Sequence, residues 1–373
     1  MCILDERRQP LVSVIIPAYQ AAAHIRETLD SVFAQTYPNL EVVLVNDGSP
    51  DTEALEQAIR SYGERLIYIR QENRGPSGAR NTAIRTARGK YIACLDSDDL
   101  YLPDHLANMV AVIKEKGLDL LYCDSFLVEN GILIGRTFER ERQILPVTFE
   151  KLLQDDCCVS TSGLVASRQA VIDAGLFDEH YRRCEDFDLW LRMSFRGAKM
   201  DLVQWVGVER RLLPTGLSAD DLLLQEARIE IYRKTGASLP LSAAQQAIIT
   251  TMVARNEGIS QTKLVKRYLR EGRYPEARVA AGKAAVLLQD RKSRRVALVV
   301  QIVPWAARHF LLMQEARLAR KKARGKRVIP EVGQLRIGAL GDNQEMQESR
   351  SLSTNEKTPP TGVATPGYKQ RLP

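Results

Sequence analysis

Three carboxylates stand within four residues at one point of the chain. Asp96, Asp98 and Asp99 follow the apolar run 91–95 (YIACL), so they come directly after a predicted buried strand. Like charges this close raise one another's pKa unless a cation neutralises them. Carboxylate oxygens suit a hard ion such as Mg²⁺ or Mn²⁺, which is usually held by one or two carboxylates together with ligand phosphates. The alternative role is capping of the helix that Pro103 opens, and the two roles are compatible.

Three other polar motifs also follow apolar runs. Residues 17–19 (PAY) come after the first run, residues 46–49 (NDGS) end the second, and residues 73–81 (NRGPSGARN) form a glycine-containing loop that enters a helix. Each has an ordinary structural explanation. Asp-Gly is a common turn signal, and Arg74 and Arg80 would fit as surface charges at a helix start. Their shared position after strands makes them candidates for one site.

The elements that would position these motifs alternate between strands and helices. From residue 11 to about residue 208, short β-rich runs alternate with amphipathic segments, as in an α/β domain. Strands separated by helices imply a largely parallel sheet, whose ligand crevice lies beyond the carboxyl ends of its strands. The four motifs are therefore expected to converge there. The predicted strands are 12–17, 41–46, 66–70, 91–95, 118–123 and 163–167, and the predicted helices are 23–35, one beginning near 51, 77–88 and 103–116.

A second acidic pair, Glu185 and Asp186, begins a predicted amphipathic helix about ninety residues beyond the first cluster. A carboxylate at this position could serve as a general base. The structural alternative is a set of acidic residues favoured by the dipole of the first helical turn, which would explain Asp188 equally well. On the residues alone, the helix-dipole explanation is preferred.

Six strings occur in an order and at a spacing that resemble the inverting family 2 glycosyltransferases with a GT-A fold. They are VSVIIPAYQ, EVVLVNDGSPD, NRGPSGARNTAI, GKYIACLDSDDLYLPDHL, DAGLFDE and CEDFDLWLRM, and they cover roughly residues 10–210. No single string is decisive, but six in order are specific. The resemblance implies an α/β fold of the Rossmann-like GT-A type with a mostly parallel central sheet.

The resemblance also implies roles for single residues on the donor side of the site. Asp47 would form a hydrogen bond with the nucleotide base, and Arg80 would stand near the diphosphate or the ribose. One departure from the family pattern is Gln20, where the family more often has asparagine. Three residues would line the base: Pro17, Ala18 and Tyr19.

On the metal and acceptor sides, two further family elements are matched. Asp96 and Asp98 resemble the DxD element, with one carboxylate facing the ribose or diphosphate and the second facing the metal. Asp99 gives the run a second register, so the metal ligand is either Asp98 or Asp99. Glu185 and Asp186 resemble the family's ED pair, in which the aspartate is the catalytic base.

The implied reaction moves a sugar from a nucleotide-diphosphate sugar to an acceptor hydroxyl, with inversion and with Mn²⁺ or Mg²⁺ on the leaving group. The acceptor would be a saccharide or a lipid-linked molecule, in the synthesis of cell-envelope or surface polysaccharide or glycolipid. Segment 173–179 (DAGLFDE) would lie on the acceptor side. The alternative is a non-catalytic module of the same fold that binds nucleotide sugars or carbohydrates. A dinucleotide dehydrogenase is excluded because the first strand–helix turn lacks GxGxxG.

Beyond residue 216 the pattern is entirely helical. We expect a GT-A catalytic domain over 10–215, then a helical appendage over 216–328. A disordered tail would follow over 329–373, because this segment is rich in Gly, Pro, Ser, Thr, Asn and Gln and has no apolar period. The predicted helices of the appendage are 222–235, 242–255, 261–271 and 275–288.

The positive charge of the chain is concentrated in this appendage. The formal net charge is +7, yet residues 291–327 hold twelve Lys and Arg against one Glu, so the remaining chain sums to −4. Within that segment Arg294, Gln301, Arg308 and Glu315 recur every seven residues as a polar stripe on an otherwise apolar helix. Such a helix suits peripheral contact with an anionic membrane, and the alternative is a helix docked on the catalytic domain. No nucleic-acid partner is expected, since few aromatic residues interleave the charges.

Composition and cysteine usage bound the compartment. The chain is 45% hydrophobic and 27% charged, which excludes a collagen, a fully disordered chain and a polytopic membrane protein. Its six cysteines form no CxxC pair and are interpreted as reduced thiols. The first ten residues lack the apolar stretch of a signal peptide. We therefore expect a cytoplasmic protein that is peripheral on the inner face of the cytoplasmic membrane.

Overall fold

The computed structural model describes residues 9–213, 216 and 220–324, with the backbone alone for 318–324. The predicted disordered tail over 329–373 lies outside these residues. So does the end of the basic segment, residues 325–327.

The first half of the described chain alternates strands with helices, and the second half is helical. The strands are β1 (Val12–Ala18), β2 (Leu40–Asp47), β3 (Leu66–Gln71), β4 (Tyr91–Cys94), β5 (Leu100–Tyr101), β6 (Leu120–Glu129), β7 (Ile132–Arg136), β8 (Leu164–Ser167) and β9 (Met200–Arg211). The helices are α1 (Ile25–Phe33), α2 (Thr52–Ile59), α3 (Gly75–Thr86), α4 (His105–Lys116), α5 (Thr137–Arg140), α6 (Phe149–Leu153), α7 (Arg168–Asp173), α8 (Glu185–Phe195), α9 (Asp221–Ser238), α10 (Ala243–Glu271), α11 (Tyr274–Leu288), α12 (Arg291–Ile302) and α13 (Pro304–Arg324). Short 3₁₀ turns at Arg60–Arg65 and Thr161–Gly163 precede β3 and β8.

The strands form one sheet in the order β3-β2-β1-β4-β8-β6-β9-β5, with β7 paired to β6. The half made of β3, β2, β1 and β4 is parallel, as the alternation of strands and helices predicts. The other half is mixed: β8 runs antiparallel to β4 and to β6, and β5 runs antiparallel to β9, whereas β6 and β9 are parallel. The predicted parallel arrangement therefore describes the first half of the sheet, which carries all four strand-end motifs, the acid cluster among them.

The sequence prediction omits β5, β7 and β9. Strands β6 and β7 form an antiparallel hairpin through Asn130 and Gly131, which both have positive φ, of 52° and 71°. Asn-Gly is the dipeptide that a two-residue hairpin turn favours, so the signal for β7 was present in the sequence. Strand β5 has only two residues, which is too short to show a period.

Two hydrophobic cores cover the two faces of the sheet. We call them core A and core B. Alternate residues of one strand point to opposite faces, so Ile15 of β1 lies in core A, whereas Val14 and Ile16 lie in core B. Core B is closed by the apolar faces of α1, α2 and α4. Core A is closed by α3 and α8, and also by Ile231 and Tyr232 of α9 and by Ile249 and Met252 of α10, which come from the helical part of the chain.

Helix α10 replaces two helices of the sequence prediction, 242–255 and 261–271, which is wrong at this point. Gly258 suggests a break, but in the structure a Cβ at this position would lie 2.6 Å from Leu288 Cγ. The glycine therefore permits close packing of α11 on α10 rather than ending the helix. Buried Asn256 donates from Nδ2 to the Met252 carbonyl at 2.7 Å, so its polar group is satisfied within the helix.

The last helices enclose a third cluster, core C, which contains Val265, Leu269, Ala281, Ala297 and Val300. Helix α12 ends at Ile302, and α13 begins at Pro304, since proline suits the first turn of a helix. Among the described residues, no helix combines the length and the apolar character needed to span a bilayer.

Candidate functional site

The first motif lies where β1 ends. Pro17 and Ala18 close the strand, Ala18 is fully buried, and Tyr19 beyond it is half exposed. Gln20 then takes the left-handed backbone conformation, with φ of 53°, and its amide donates to Ser49 Oγ at 2.7 Å. Asparagine adopts this conformation more readily than glutamine, which is a backbone reason for asparagine being common at this position in the family that the sequence resembles.

Asp47 ends β2 and fastens the third motif beside it. Its Oδ1 accepts hydrogen bonds from Gln71 Nε2 at 2.7 Å and from the Arg74 amide at 2.9 Å. Gly48 follows with φ of 64°, and a Cβ there would lie 2.8 Å from the Asn73 nitrogen. Only glycine allows so close an approach of two backbone segments. The Asp-Gly turn thus packs two of the predicted motifs against each other.

The acid cluster forms a tight turn after β4, in which the Asp99 amide donates to the Asp96 carbonyl at 3.1 Å. The three side chains then diverge. Asp99 is buried, and its Oδ1 accepts a hydrogen bond from the Arg211 amide at 2.9 Å, while Ser162 also bonds to its carboxylate. Asp98 is partly exposed and accepts no bond from another side chain within the described chain.

The same cluster is short of positive charge. Burial, together with the charge of Asp96, raises the pKa of Asp98 to about 6. Burial, together with the charges of Asp98 and Asp96, raises the pKa of Asp99 to about 8. Such shifts mean that the carboxylates in this turn lack enough cationic neighbours to hold them all ionised.

Arg80 joins the two acidic motifs of the sequence. Its Nη2 donates to Asp96 Oδ1 at 2.6 Å and its Nη1 donates to Glu185 Oε1 at 2.5 Å. The guanidinium is buried and lies 5.5 Å from the centre of the Phe177 ring. Burial by itself would lower the pKa of Arg80, but the carboxylates of Asp96 and Glu185 raise it overall. One buried cation therefore brings β4 and α8 to the same crevice.

Helix α8 begins at Glu185, after Cys184 in the left-handed conformation with φ of 56°. Glu185 is buried against Arg80, and burial raises its pKa even though the guanidinium opposes the shift. Asp186 is partly exposed, and its Oδ2 accepts a hydrogen bond from Thr161 Oγ1 at 2.7 Å. Its Oδ1 accepts from the Phe187 amide, also at 2.7 Å.

The three acidic residues in the first turn of α8 have different partners, so the helix dipole does not account for them alike. Asp188 is buried and pairs with Arg192 at 2.7 Å and with Lys234 at 2.6 Å, which gives it a structural role. Glu185 pairs with Arg80. Within the part of the chain that the structure describes, Asp186 alone of the three forms no ion pair.

Residues that the sequence analysis missed complete the crevice. Thr161 and Ser162 come from the 3₁₀ turn before β8 and contact Asp186 and Asp99. Arg211, at the end of β9, supplies the amide that binds Asp99. Neither the spacing nor the type of these residues marks them in the sequence, because their contacts depend on strand order.

Segment 173–179, expected on the acceptor side, is bound to α3. Asn81 donates from Nδ2 to the Phe177 carbonyl at 2.8 Å and accepts from the Phe177 amide at 2.9 Å. Arg74 forms an ion pair with Glu179 at 2.6 Å. Trp190 is buried with its ring 6.0 Å from that of Phe177, so it is a packing residue rather than a surface for stacking a sugar.

The family resemblance implies a divalent cation in this crevice. No three His, Cys, Asp or Glu side chains of the described residues are grouped so as to hold a metal. Mg²⁺ and Mn²⁺ nevertheless often take one or two carboxylates and complete their shell with water and ligand phosphates. The charge-deficient turn, with the partly exposed carboxylates of Asp96 and Asp98, fits such an ion.

The first half of the chain is similar to known proteins. Residues 13–171 match Glycosyl transferase family 2. Curated relatives from Rickettsia species, named as uncharacterized glycosyltransferases, are 31–35% identical, and the matches span 28–58% of the relatives' own length. The UDP-Glc:alpha-D-GlcNAc-diphosphoundecaprenol beta-1,3-glucosyltransferase WfgD of Escherichia coli is 29% identical over 181 residues, which is 48% of this chain and 68% of WfgD.

Solved structures share the fold. Staphylococcus aureus TarS 1–349 in complex with UDP superposes with a TM-score of 0.54 at 21% identity, covering 74% of this chain and 80% of that one. The mannosyltransferase PcManGT of Pyrobaculum calidifontis, in complex with GDP-Man and Mn²⁺, gives a TM-score of 0.55 at 21% identity, covering 82% and 86%. Motifs, sheet and matches agree: residues 13–171 match glycosyltransferase family 2, and the fold is that of the GT-A neighbours.

Proposed function

We propose that the chain transfers a sugar from a nucleotide-diphosphate sugar to an acceptor hydroxyl, with inversion at the anomeric carbon. The observation that carries the proposal is the arrangement around Arg80. It holds Asp96 of the donor side and Glu185 beside the candidate base in one crevice. The adjacent Asp186 keeps a partly exposed carboxylate with no ion pair in the described residues.

The donor would lie across the ends of β1, β2 and β4. Pro17, Ala18 and Tyr19 would line the base, and Asp47 would bind it. Asp47 already uses Oδ1 to hold Gln71 and Arg74, so the pocket wall is fixed before the base arrives. TarS and PcManGT have been solved with UDP and GDP-Man, which supports a nucleotide donor of this general kind.

Asp98 is the proposed metal ligand, with Asp96 beside it toward the ribose or diphosphate. Asp99 is a less suitable ligand than we expected from the sequence, because Ser162 and the Arg211 amide occupy its carboxylate. A bound Mn²⁺ or Mg²⁺ would stabilise the negative charge of the leaving diphosphate. The Mn²⁺ in the PcManGT complex supports a divalent cation in the reaction.

Asp186 is the proposed base. It would take the proton of the acceptor hydroxyl as the new bond from that oxygen to the anomeric carbon forms. The bond from the anomeric carbon to the diphosphate oxygen breaks on the opposite side, and the nucleotide diphosphate leaves with its electron pair. Thr161 and the Phe187 amide hold the Asp186 carboxylate in place, and Glu185 is positioned by Arg80 rather than free to act as a base.

The acceptor is proposed to be a saccharide or a lipid-linked saccharide used in cell-envelope or surface-polysaccharide synthesis. WfgD, whose name specifies a diphosphoundecaprenol-linked acceptor, supports the lipid-linked class. Such an acceptor is presented at a membrane, so the enzyme would work at the inner face of the cytoplasmic membrane. The catalytic domain is proposed to span 10–215, although α9 and the start of α10 also contribute to core A.

The test is a screen of UDP- and GDP-sugars with Mn²⁺, in which transfer and donor binding are measured separately. Asp186→Asn should lower transfer by at least about 10²-fold, because general-base catalysis contributes that much or more. Binding of the donor nucleotide, measured by calorimetry, should stay unchanged. EDTA should stop transfer, and Mn²⁺ or Mg²⁺ should restore it.

Asp221→Asn is the matched control, since it makes the same change at an exposed carboxylate of α9 that pairs with Lys263. It should leave transfer unchanged. Full turnover by Asp186→Asn would exclude Asp186 as the base, and full activity in EDTA would exclude the metal. Donor binding without transfer to any acceptor would favour the non-catalytic binding module.

A further inference from the structure

Helices α12 and α13 leave their outer faces uncovered. Of the thirteen large apolar side chains that are exposed in the described residues, eight lie between residues 296 and 313. Five of them are between 54% and 66% exposed: Leu298, Ile302, Trp305, Phe310 and Met313. Soluble proteins seldom expose so many large apolar groups together, and where they do the patch usually contacts a partner or a membrane.

The inner faces of the same helices are fixed to the body of the protein. Ala297 and Val300 of α12 are buried in core C, and Ala307 and Leu311 of α13 pack against it. The opposite face of α12 carries Leu298 and Ile302, and the opposite face of α13 carries Trp305 and Met313. Both faces therefore point away from core C.

Three of the four residues of the predicted polar stripe bond to the neighbouring helices, and the fourth, Arg294, is exposed. Gln301 Nε2 donates to the Arg278 carbonyl at 2.9 Å, and the Arg308 guanidinium donates to the Arg270 carbonyl at 3.3 Å. Glu315 forms an ion pair with Arg270 at 2.5 Å. These three contacts dock the helices, so the apolar outer face is held in position without using its own side chains.

A cluster of positive charge adjoins the apolar face. The first turns of α12 expose four basic side chains, none of which forms an ion pair with any described residue: Arg291, Lys292, Arg294 and Arg295. Arg291 and Arg295 share one helical face with Leu298 and Ile302, at spacings of four, three and four residues. The only acid within the described sequence of these two helices is Glu315, which Arg270 already neutralises.

We propose that this surface, formed by the outer faces of α12 and α13, binds an anionic lipid bilayer. The apolar side chains would enter the boundary between headgroups and acyl chains, and the basic turn would contact the phosphates. An exposed tryptophan among aliphatic residues suits that boundary. Both helices would lie in the plane of the membrane, since α12 has only twelve residues and neither helix can span a bilayer.

Charge argues against a second copy of this chain as the occupant. Two copies of the surface would place unpaired basic turns close to each other, which is unfavourable. The proposal goes beyond the glycosyl transfer reaction and does not depend on it.

The experiment is flotation of the full chain with vesicles of phosphatidylcholine alone or of phosphatidylcholine mixed with phosphatidylglycerol. The protein should float with the anionic vesicles and much less with the neutral ones, and high salt should weaken binding. Arg291→Gln/Arg295→Gln should weaken partitioning by about thirtyfold, at about 1 kcal/mol per basic residue near an anionic surface. Ile302→Asn/Trp305→Ala should weaken it at least about tenfold. Vesicles should also shift the emission of Trp305 to the blue.

Matched controls change the same chemistry elsewhere. Val279→Asn/Val286→Ala alters two exposed apolar residues of α11, and Arg60→Gln/Lys114→Gln removes two exposed charges from the catalytic body. Both should float like the unmodified chain. Equal flotation of all variants would overturn the proposal. So would light scattering in which Ile302→Asn/Trp305→Ala converts an oligomer to a monomer without any change in flotation, because a second copy would then be the occupant. None of these readouts requires transfer activity.

Discussion

Arg80 is the residue on which the geometry of the candidate site depends. Its planar guanidinium forms ion pairs with Asp96, just after β4, at 2.6 Å and with Glu185 of α8 at 2.5 Å. A lysine could form one of these bonds well but not both, since its ammonium lacks the planar fork. Removing the Arg80 side chain would also leave Glu185 buried without its partner. Breaking a buried ion pair in this way typically lowers the free energy of unfolding by about 3–5 kcal/mol.

Thr161 is a positioning residue whose effect can be separated from folding. Its hydroxyl donates to Asp186 Oδ2 and so fixes the orientation of this carboxylate. Thr161→Val keeps the shape and removes the donor. We expect kcat to fall about tenfold, while the KM for the donor stays within about twofold.

Thr161→Ser is the matched control, because it retains the hydroxyl and should restore kcat. An unchanged kcat in Thr161→Val, or a loss that appears only as a raised KM for the donor, would show that the hydroxyl does not act through Asp186.

At the scale of elements, α9 is attached to the catalytic domain by charge as well as by core A. Lys234 of α9 pairs with Asp178 at 2.8 Å and with Asp188 of α8 at 2.6 Å. Tyr232 donates from its hydroxyl to the Leu153 carbonyl at 3.0 Å and is fully buried. Helix α9 is thus part of the support for α8, the helix that presents Asp186.

Lys234→Ala tests this support. It would leave buried Asp188 with Arg192 as its remaining cation, so the free energy of unfolding should fall by about 1–3 kcal/mol. Denaturant titration followed by circular dichroism is the measurement.

Arg233→Ala is the neighbouring control, because Arg233 pairs with Glu257 at the surface and should change stability by less than about 0.5 kcal/mol. Equal effects of the two substitutions would show that the contact between Lys234 and Asp188 contributes no more than a surface pair.

How far the sequence predicts these elements depends on burial. Strands β1 to β4 are predicted within one residue at every end. In β1, β2 and β4 both faces are buried and the runs are largely apolar, whereas β3 is only partly buried and is marked by its β-rich residues. Strand β9 is missed because its accessible and buried residues follow no simple alternation, and two irregularities interrupt its pairing with β6. The break predicted near Gly258 was wrong because only tertiary packing shows what that glycine contacts.

The candidate site likewise combines features that the sequence predicts with features that only the folded chain shows. The strand-end motifs are visible in the sequence because their residue types and order are local properties. The link from Arg80 to Glu185 spans about a hundred residues, and no local pattern reports it. The distinction between Asp186 and Asp188 likewise needed the positions of Arg192 and Lys234, which only the folded chain supplies.

At the scale of the whole molecule, cores A and B share the sheet, whereas core C is built from α10 to α13 alone. The N-terminal half of α10 belongs to core A and its C-terminal half belongs to core C. This one helix therefore connects the catalytic body with the proposed membrane surface. Damage to core C is therefore expected to leave the donor pocket intact.

Leu269→Ala tests that independence, since Leu269 is buried in core C. Its truncation should cost about 2–5 kcal/mol and should speed amide hydrogen exchange in α11 to α13. The affinity for the donor nucleotide should stay within about twofold.

Val286→Ala, at an exposed position of α11, should change neither property. A loss of donor affinity in Leu269→Ala would show that core C and the crevice are energetically coupled.

Core A imposes an order in time on the making of this protein. Its strands include Ile15 near the start of the chain, yet its cover includes Met252. At ~5–20 residues per second, synthesis of the stretch between β4 and Met252 takes roughly 8–30 s. During that interval α3 already covers this face of the parallel half of the sheet, but the apolar surface of α6 and α8 stays open until α9 and α10 have been made to close it. We expect this part of core A to be the surface most open to aggregation while the chain is still attached to the ribosome.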